Sequence, residues 1–445
     1  MAGIFRAYDI RGIYPDELDE DTAYRIGRAA PAVLPRGPVG VSRDMRQSAP
    51  AIKKALVRGL REAGLDVVDL GLLSTGMNYF ALGYYGYGGA IQVTASHNPS
   101  EYIGMKFNRC GVSPVSYENG LSTLEEILKT DSFPSPETAG SLSVIDTTGG
   151  DYRRRIRSLI GEIAPLKIVV DCSDGMAGLE FPNVFEGLPP RVELLNEIPD
   201  GTFPHHDPNP LEEESRIELV ERVREREADL GVIFDGDADR TAFIDEKGDF
   251  IPTDLVTALL AGSFLKNEPG ATIVADFRSS WAVEEYIKKL GGRMIRSRVG
   301  HSYIKEKMRD CNAVFGGDIA GHYYFRDNYF SETSALTVAR MLELMTVARK
   351  PISELYRPLR KYFSTGELNY HVENKKEKIE EVARQFKMTS ANVSHFDGIT
   401  VREPEFWLNV RASNTEPLVR FMAEAKSKKT LEKIKNRVEK ILLSS

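Results

Sequence analysis

The sequence has little of what marks secreted, membrane-bound or nucleic-acid-binding proteins. It holds three cysteines in 445 residues, Cys110, Cys172 and Cys311, far apart and without CxxC spacing. That argues against a zinc site or a disulfide framework and fits a reducing cytoplasm. No apolar run approaches the roughly 20 residues needed to cross a bilayer. The longest, LVTALLAGSFL, is flanked by Asp254 and Lys266. The opening stretch MAGIFRAYDIRG has no apolar core of signal-peptide type. Excess basic charge is also missing. The net charge is −7, so nucleic acid is not expected as a partner, because a phosphate backbone demands a basic face. Small anionic ligands need only local cations and stay allowed. There is no low-complexity tract, and only SFPSPETAGS reads as a flexible connector. A soluble cytoplasmic protein with no membrane and no nucleic-acid partner is expected, with monomer or homo-oligomer left open.

What is present is an ordinary globular composition, 42% hydrophobic and 28% charged, on a chain long enough for several domains. Strand-like and helix-like stretches alternate. VGVSRD is followed by SAPAIKKALVRGLREAG, which has a Ser48 cap, apolar residues at helical spacing and a closing Gly64. Later, LKIVVD, LGVIFD, ATIVADF and NAVFGG are strands with helices between them. This alternation predicts α/β units with largely parallel sheets. Three apolar strands each end in a small polar loop: AIQVTASHN, LGVIFDGDAD and NAVFGGDIAG. Ligands gather beyond the carboxyl ends of strands in such sheets, so three related units are expected to donate one loop each to a shared cleft. The expected fold is α/β: three similar mixed α/β domains plus a smaller C-terminal α+β domain around a central cleft. The domains are placed at 1–146, 147–249, 250–363 and 364–445.

FDGDADR carries the clearest chemistry. Asp235, Asp237 and Asp239 alternate after an apolar strand, so in extended chain their carboxylates share one side. Three such charges repel unless a cation sits among them, and oxygen-only ligands suit a hard ion such as Mg²⁺ or Ca²⁺. An EF-hand is disfavoured, because Arg240 stands where Gly is needed and a strand precedes the loop. An aspartyl-phosphate enzyme with Asp235 or Asp237 as nucleophile and an acidic surface turn are the other readings. TASHNP, Thr94 to Pro99, read alone, is a turn. RASNTEP, Arg411 to Pro417, offers a guanidinium, hydroxyls and an amide that can wrap a phosphate, with Arg420 nearby. GGDIAGH offers Asp318 and His322 to sugar hydroxyls, although a tight turn explains it as well. For Arg11 in YDIRG a surface salt bridge is the plain reading, for His301 a helix cap, and for HHDPNP a structural loop.

Taken together and in order, these stretches make the whole chain resemble the α-D-phosphohexomutase family, and within it the phosphomannomutase/phosphoglucomutase branch. FRAYDIRG is similar to the family's opening motif. TASHNP with the following GMKF is similar to its phosphoserine loop, DGDADR to its magnesium loop, GGDIAGH to its sugar-binding loop and RASNTEP to its phosphate-binding loop. The resemblance implies an intramolecular phosphotransferase that interconverts hexose 1-phosphate and hexose 6-phosphate of mannose or glucose. Ser96 would carry the phosphoryl group, and a hexose 1,6-bisphosphate would be both bound intermediate and activator. Mg²⁺ would be held by Asp235, Asp237, Asp239 and the Ser96 phosphoryl oxygen. Arg11, His97 and Lys106 would surround the transfer, with the general base left open among them. Tyr8, Arg240, Arg278, His301, Asp318 and His322 would face the sugar or its phosphate. Arg411, Ser413, Asn414, Thr415 and Arg420 would grip the phosphate that is not reacting.

The departures concern substrate selection. The sugar loop usually reads GEMSGH; here Asp318 is one methylene shorter than Glu, and Ala320 lacks the serine hydroxyl. Ile103 stands where Asn is usual, Arg278 where Lys is common, and YFSET lacks an Asp–Gly pair. A phosphoglucosamine mutase or a mutase for another sugar phosphate is therefore the alternative. A non-catalytic sugar-phosphate-binding protein is a further one, against which the retained Ser96 and three aspartates argue.

Overall fold

The computed structural model describes residues 3–35, 37–387, 392–412 and 418–444. It contains four sheets. The first runs Ile10–Ile13, Tyr102–Arg109, Gly89–Val93, Val39–Arg43, Val67–Leu72, Leu142–Val144. Its centre is parallel, and Tyr102–Arg109 is antiparallel to both Gly89–Val93 and Ile10–Ile13. The second runs Phe250–Ile251, Thr241–Asp245, Leu230–Phe234, Lys167–Asp171, Arg191–Leu195. The third runs Arg293–Ser297, Thr272–Asp276, Phe315–Gly317, Tyr323–Phe325, Ser331–Glu332.

These three sheets repeat one device. A parallel strand leads through a short loop into an antiparallel partner: Gly89–Val93 into Tyr102–Arg109, Leu230–Phe234 into Thr241–Asp245, and Phe315–Gly317 into Tyr323–Phe325. The loops are TASHNPSE, DGDADR and DIAGH, the polar strand exits already singled out. Each parallel strand is buried on both faces by helices, which is why it reads as a continuous apolar run. The fourth sheet is antiparallel throughout, with Phe406–Ala412 and Leu418–Ala425 at its centre, and the helices Lys375–Lys387 and Lys428–Leu442 pack on it.

Three segments differ from the sequence reading. Thr75–Tyr85 is a helix with a Ser74 cap, unseen because it is apolar on every side and carries two glycines. At Gly83 a Cβ would stand 2.6 Å from the Tyr329 ring of the third unit, so glycine there permits a close approach between units. The end of the expected connector is not free chain: the Gly140 amide donates to the Arg61 carbonyl at 2.8 Å and the Ser141 carbonyl accepts from the Val67 amide at 2.9 Å, leading into Leu142–Val144, which pairs in parallel with Val67–Asp69 as an edge strand. Ser48 is the N-cap residue of Ala49–Glu62, but its side chain makes no capping hydrogen bond. Among the described residues no helix is long and apolar enough to cross a membrane.

Candidate active site

The loops from the three sheets meet at a cleft of about 1440 Å³. Ser96 sits in the first loop at φ 53, a left-handed conformation that few non-glycine residues adopt. Its amide donates to Thr94 Oγ1 at 2.9 Å. Gly236 of the second loop lies against it, where a Cβ would come within 2.8 Å of the Ser96 carbonyl oxygen. That close approach brings Ser96 Oγ to 2.8 Å from Asp235 Oδ2.

Asp235, Asp237 and Asp239 are all buried, and one carboxylate oxygen from each lies within 4.8 Å of the others. Lys106 Nζ donates to Asp237 Oδ2 at 2.7 Å and Asp239 Oδ2 at 2.5 Å. Thr75 Oγ1 donates to Asp237 Oδ2 at 2.6 Å. Asp237 Oδ1 is buried and has no hydrogen-bond partner among the described residues. Burial, then the charges of Asp239 and Asp237, push Asp235 up to about 8. Burial opposes the Lys106 ammonium, but Asp237 and Asp239 outweigh it and raise its pKa. An all-oxygen donor set with a buried orphan oxygen and mutual repulsion fits a hard divalent cation.

The histidines differ in charge for physical reasons. Burial, with Arg240 and Arg11 nearby, lowers His97 well below its ordinary value. Burial, with Lys305 and Lys106, does the same to His301. His322 goes the other way: burial opposes its charge, but Asp318 at 2.8 Å and Asp239 at 3.2 Å carry its pKa up to about 10. His97 Nδ1 lies 3.3 Å from Ser96 Oγ.

Tyr8, Arg11, Ser96, His97, Lys106 and Arg240 all line the cleft. So do Arg278, His301, Asp318, His322 and Arg420. Arg11 pairs with Asp9, so the salt bridge is there, and it also reaches the Asn98 side chain in the serine loop. Tyr8 OH donates to the Val299 carbonyl at 2.6 Å. His301 opens its helix without capping it. Asp318, expected at the sugar, lines the cleft and is also tied to its neighbours. Its oxygens accept from the amides of Ala320 at 3.0 Å and His322 at 2.9 Å, from His322 Nδ1 at 2.8 Å and from Tyr324 OH at 3.0 Å. The shorter side chain holds its own loop to the strand that follows and orients His322. Arg411 is buried beside Glu367. Ser413, Asn414 and Thr415 lie outside the described residues.

Two residues were missed from sequence. Arg46 is fully buried and donates to the carbonyls of Ser96, Asn98, Pro99 and Tyr102 at 2.6–3.0 Å, with Asp44 Oδ2 3.3 Å from its Nε. It shapes the serine loop; the polar exit VSRDMR was the available signal. Glu367 contacts three arginines. The HHDPNP loop is knitted into the second unit, with His205 on Asp174 and His206 on Asp171.

Comparison with known proteins gives concordant results. The chain matches the phosphoglucomutase/phosphomannomutase α/β/α domains I, II and III over residues 2–134, 152–248 and 252–362, and the C-terminal domain over 367–441. It is 37% identical to a phosphomannomutase of Escherichia coli over 433 residues, covering 95% of both chains. It is equally 37% identical to the phosphohexose mutases of Xanthomonas campestris pv. campestris, strain B100, again over 95% of both. A crystal structure of a phosphoglucomutase/phosphomannomutase family protein from Burkholderia thailandensis superposes with a TM-score of 0.91 at 32% identity, covering 98% of this chain and 97% of that one.

Proposed function

The chain belongs to the phosphoglucomutase/phosphomannomutase family and is a hexose-phosphate mutase; we propose that it interconverts hexose 1-phosphate and hexose 6-phosphate of mannose and glucose through a phosphoserine at Ser96 and a bound hexose 1,6-bisphosphate. The observation that carries this reading is the 2.8 Å contact of Ser96 Oγ with Asp235, a residue 139 positions away. A hydroxyl held in a left-handed turn, against a carboxylate cluster and at the wall of a large cleft, suits a phosphoryl carrier.

In the first half-reaction the free hydroxyl oxygen of the sugar attacks phosphorus. The bond between phosphorus and Ser96 Oγ breaks as the new P–O bond forms; the hydroxyl proton passes to a basic group at the cleft wall, and Ser96 Oγ leaves with the bonding pair and takes up a proton to become the free hydroxyl. The second half-reaction is the reverse, with the other phosphate of the bisphosphate returning to Ser96. Such transfers depend on in-line positioning and charge neutralisation. Arg11 and Lys106 supply fixed positive charge beside Ser96. His322, pinned by Asp318 and Asp239, and His301 face the sugar with Arg240. Asp235, Asp237 and Asp239, with a Ser96 phosphoryl oxygen, would hold Mg²⁺, which supplies charge neutralisation at the phosphoryl group. Arg278, Arg411 and Arg420, together with Ser413, Asn414 and Thr415, grip the distal phosphate. The chain's three unpaired cysteines suit a cytoplasmic enzyme.

The test is a turnover assay with Mg²⁺ and a trace of hexose 1,6-bisphosphate, comparing glucose 1-phosphate, mannose 1-phosphate and glucosamine 1-phosphate. Turnover of the first two is expected. Preference for the third assigns the altered sugar loop to a phosphoglucosamine mutase, and turnover of none, with binding retained, to a sugar-phosphate-binding protein.

A further inference from the structure

Glu367 lies between the strands Phe363–Ser364 and Leu368–His371, where the chain enters the fourth sheet, and it lines the cleft. Three guanidinium groups from two units meet its carboxylate. Arg278, at the exit of Thr272–Asp276 in the third sheet, donates to Oε2 at 2.5 Å. Arg411 of Phe406–Ala412 donates to the same oxygen at 2.9 Å, and Arg420 of Leu418–Ala425 to Oε1 at 3.0 Å. Arg411 and Arg420 are register partners across their two strands. Arg278 is also held from behind by Asp276.

Three cations gathered in a poorly hydrated wall repel one another, and buried charge is tolerated only when paired. Burial opposes the Glu367 carboxylate, yet Arg278, Arg411 and Arg420 hold its pKa down to about 2, so the acid is ionised under all working conditions. A carboxylate occupies one edge of each planar fork and leaves other N–H donors for a second anion; Arg411 Nε is buried with no partner among the described residues. Three arginines set against Asp276 and Glu367 still leave net positive charge.

We propose that Glu367 is a positioning residue that assembles the distal-phosphate cradle from two units, drawing Arg278 of the third towards Arg411 and Arg420 of the fourth. This rests on the mutase reading above. Glu367 touches none of the reacting atoms. It decides how strongly the arginines are presented to a phosphate dianion, and so acts on substrate grip and not on transfer from Ser96.

The experiment compares the full-length protein with Glu367→Gln and Glu367→Asp, by turnover and by calorimetric binding of glucose 6-phosphate. For Glu367→Gln, KM and the binding constant are expected to weaken about tenfold, as for a lost charge-assisted contact, while kcat stays within about twofold. Glu367→Asp, which keeps the charge, is expected to recover part of the loss. Unchanged or tighter binding in Glu367→Gln would overturn the proposal, tighter binding meaning that Glu367 competes with phosphate. A parallel fall in kcat would overturn it as well. If Glu367→Gln does not fold, wild-type affinity in Glu367→Asp still refutes it, because a shortened acid cannot span the same arginines. Should the wild type bind glucose 6-phosphate without turning it over, the mutase reading fails, and the binding comparison judges Glu367 on its own.

Discussion

The first three units and the C-terminal unit are held by different kinds of contact. Tyr79 and Phe80 of the first, Phe181 and Val184 of the second, and Val256 and Phe315 of the third belong to one continuous apolar cluster. Glu180 adds a buried polar knot across the same units, accepting from Ser74 and from Tyr152 OH, which also meets Thr333 Oγ1 at 2.5 Å. The C-terminal unit has a cluster of its own, drawn from residues 382–442. It meets the rest mainly through polar contacts to the third unit: Arg278 with Glu367, the Trp281 amide with Glu424 at 2.9 Å and the Val299 amide with Asp397 at 2.8 Å. The first unit also has a cluster of its own around Val93 and Met105, beside Ser96 and Lys106, so the groups assigned to phosphoryl transfer are set on units joined through a shared core, whose close packing leaves little freedom. Of the groups assigned to the distal phosphate, Arg411 and Arg420 sit on a unit that folds around itself, and Arg278 meets them from the third unit through Glu367. Transfer and most of the grip are thus carried by different parts of the molecule, and mutation is expected to separate them.

The largest effect expected on that division is at Ser96. Ser96→Ala should cut turnover at least about a thousandfold by removing the phosphoryl carrier, while glucose 6-phosphate still binds. Equal loss of binding, read by calorimetry, would break the division. Next come the two cores. Phe80→Ala and Phe421→Ala each remove a fully buried ring and should cost about 3–5 kcal/mol. Scanning calorimetry should show the first lowering the transition of the three-unit body and the second splitting off an earlier C-terminal transition. A single shared transition in both would join the two parts again.

Arg46→Lys sharpens the comparison within the body. A lysine cannot reach four carbonyls as the guanidinium fork does, so kcat should fall about tenfold with KM unchanged, because the serine loop loses its template. A KM effect without a kcat effect would remove Arg46 from the transfer side. The smallest effect is the pH dependence carried by His206. Burial opposes its charge, but Asp171 raises its pKa from 6.5 to about 8. Its contribution to stability is therefore complete below pH 6.5 and lost as pH rises through about 8. His206→Asn should flatten the melting temperature of the body across that window and leave the C-terminal transition where it was.

Much of this was readable residue by residue. VGVSR, GAIQV, LGVIF and TIVAD are strands because their apolar, β-branched runs fit the buried centre of a parallel sheet. The amphipathic stretch after Ser48 is a helix because its apolar spacing matches the helical period. Thr75–Tyr85 was not legible, because a helix with apolar residues on every side has no period to read. In the site, the polar loops declared themselves by following apolar strands. Arg46 did not, since its importance lies in carbonyls some fifty residues away that carry no sequence signature. Asp318 was legible as a cleft residue, but its hydrogen bonds to the amide and ring of His322 and to Tyr324 OH were not, because they depend on how the loop closes.

Neighbours within a few positions fix the chemical types at each strand exit and the alternating aspartates, and the order of strand-like and helix-like stretches along the chain gives the three-plus-one division. Only the folded chain brings Ser96 to Asp235, Lys106 between Asp237 and Asp239, and Glu367 against arginines from two units. Those contacts join residues separated by 44 to 139 positions. They are fixed by how whole sheets pack against one another, and no local preference of the chain encodes that packing.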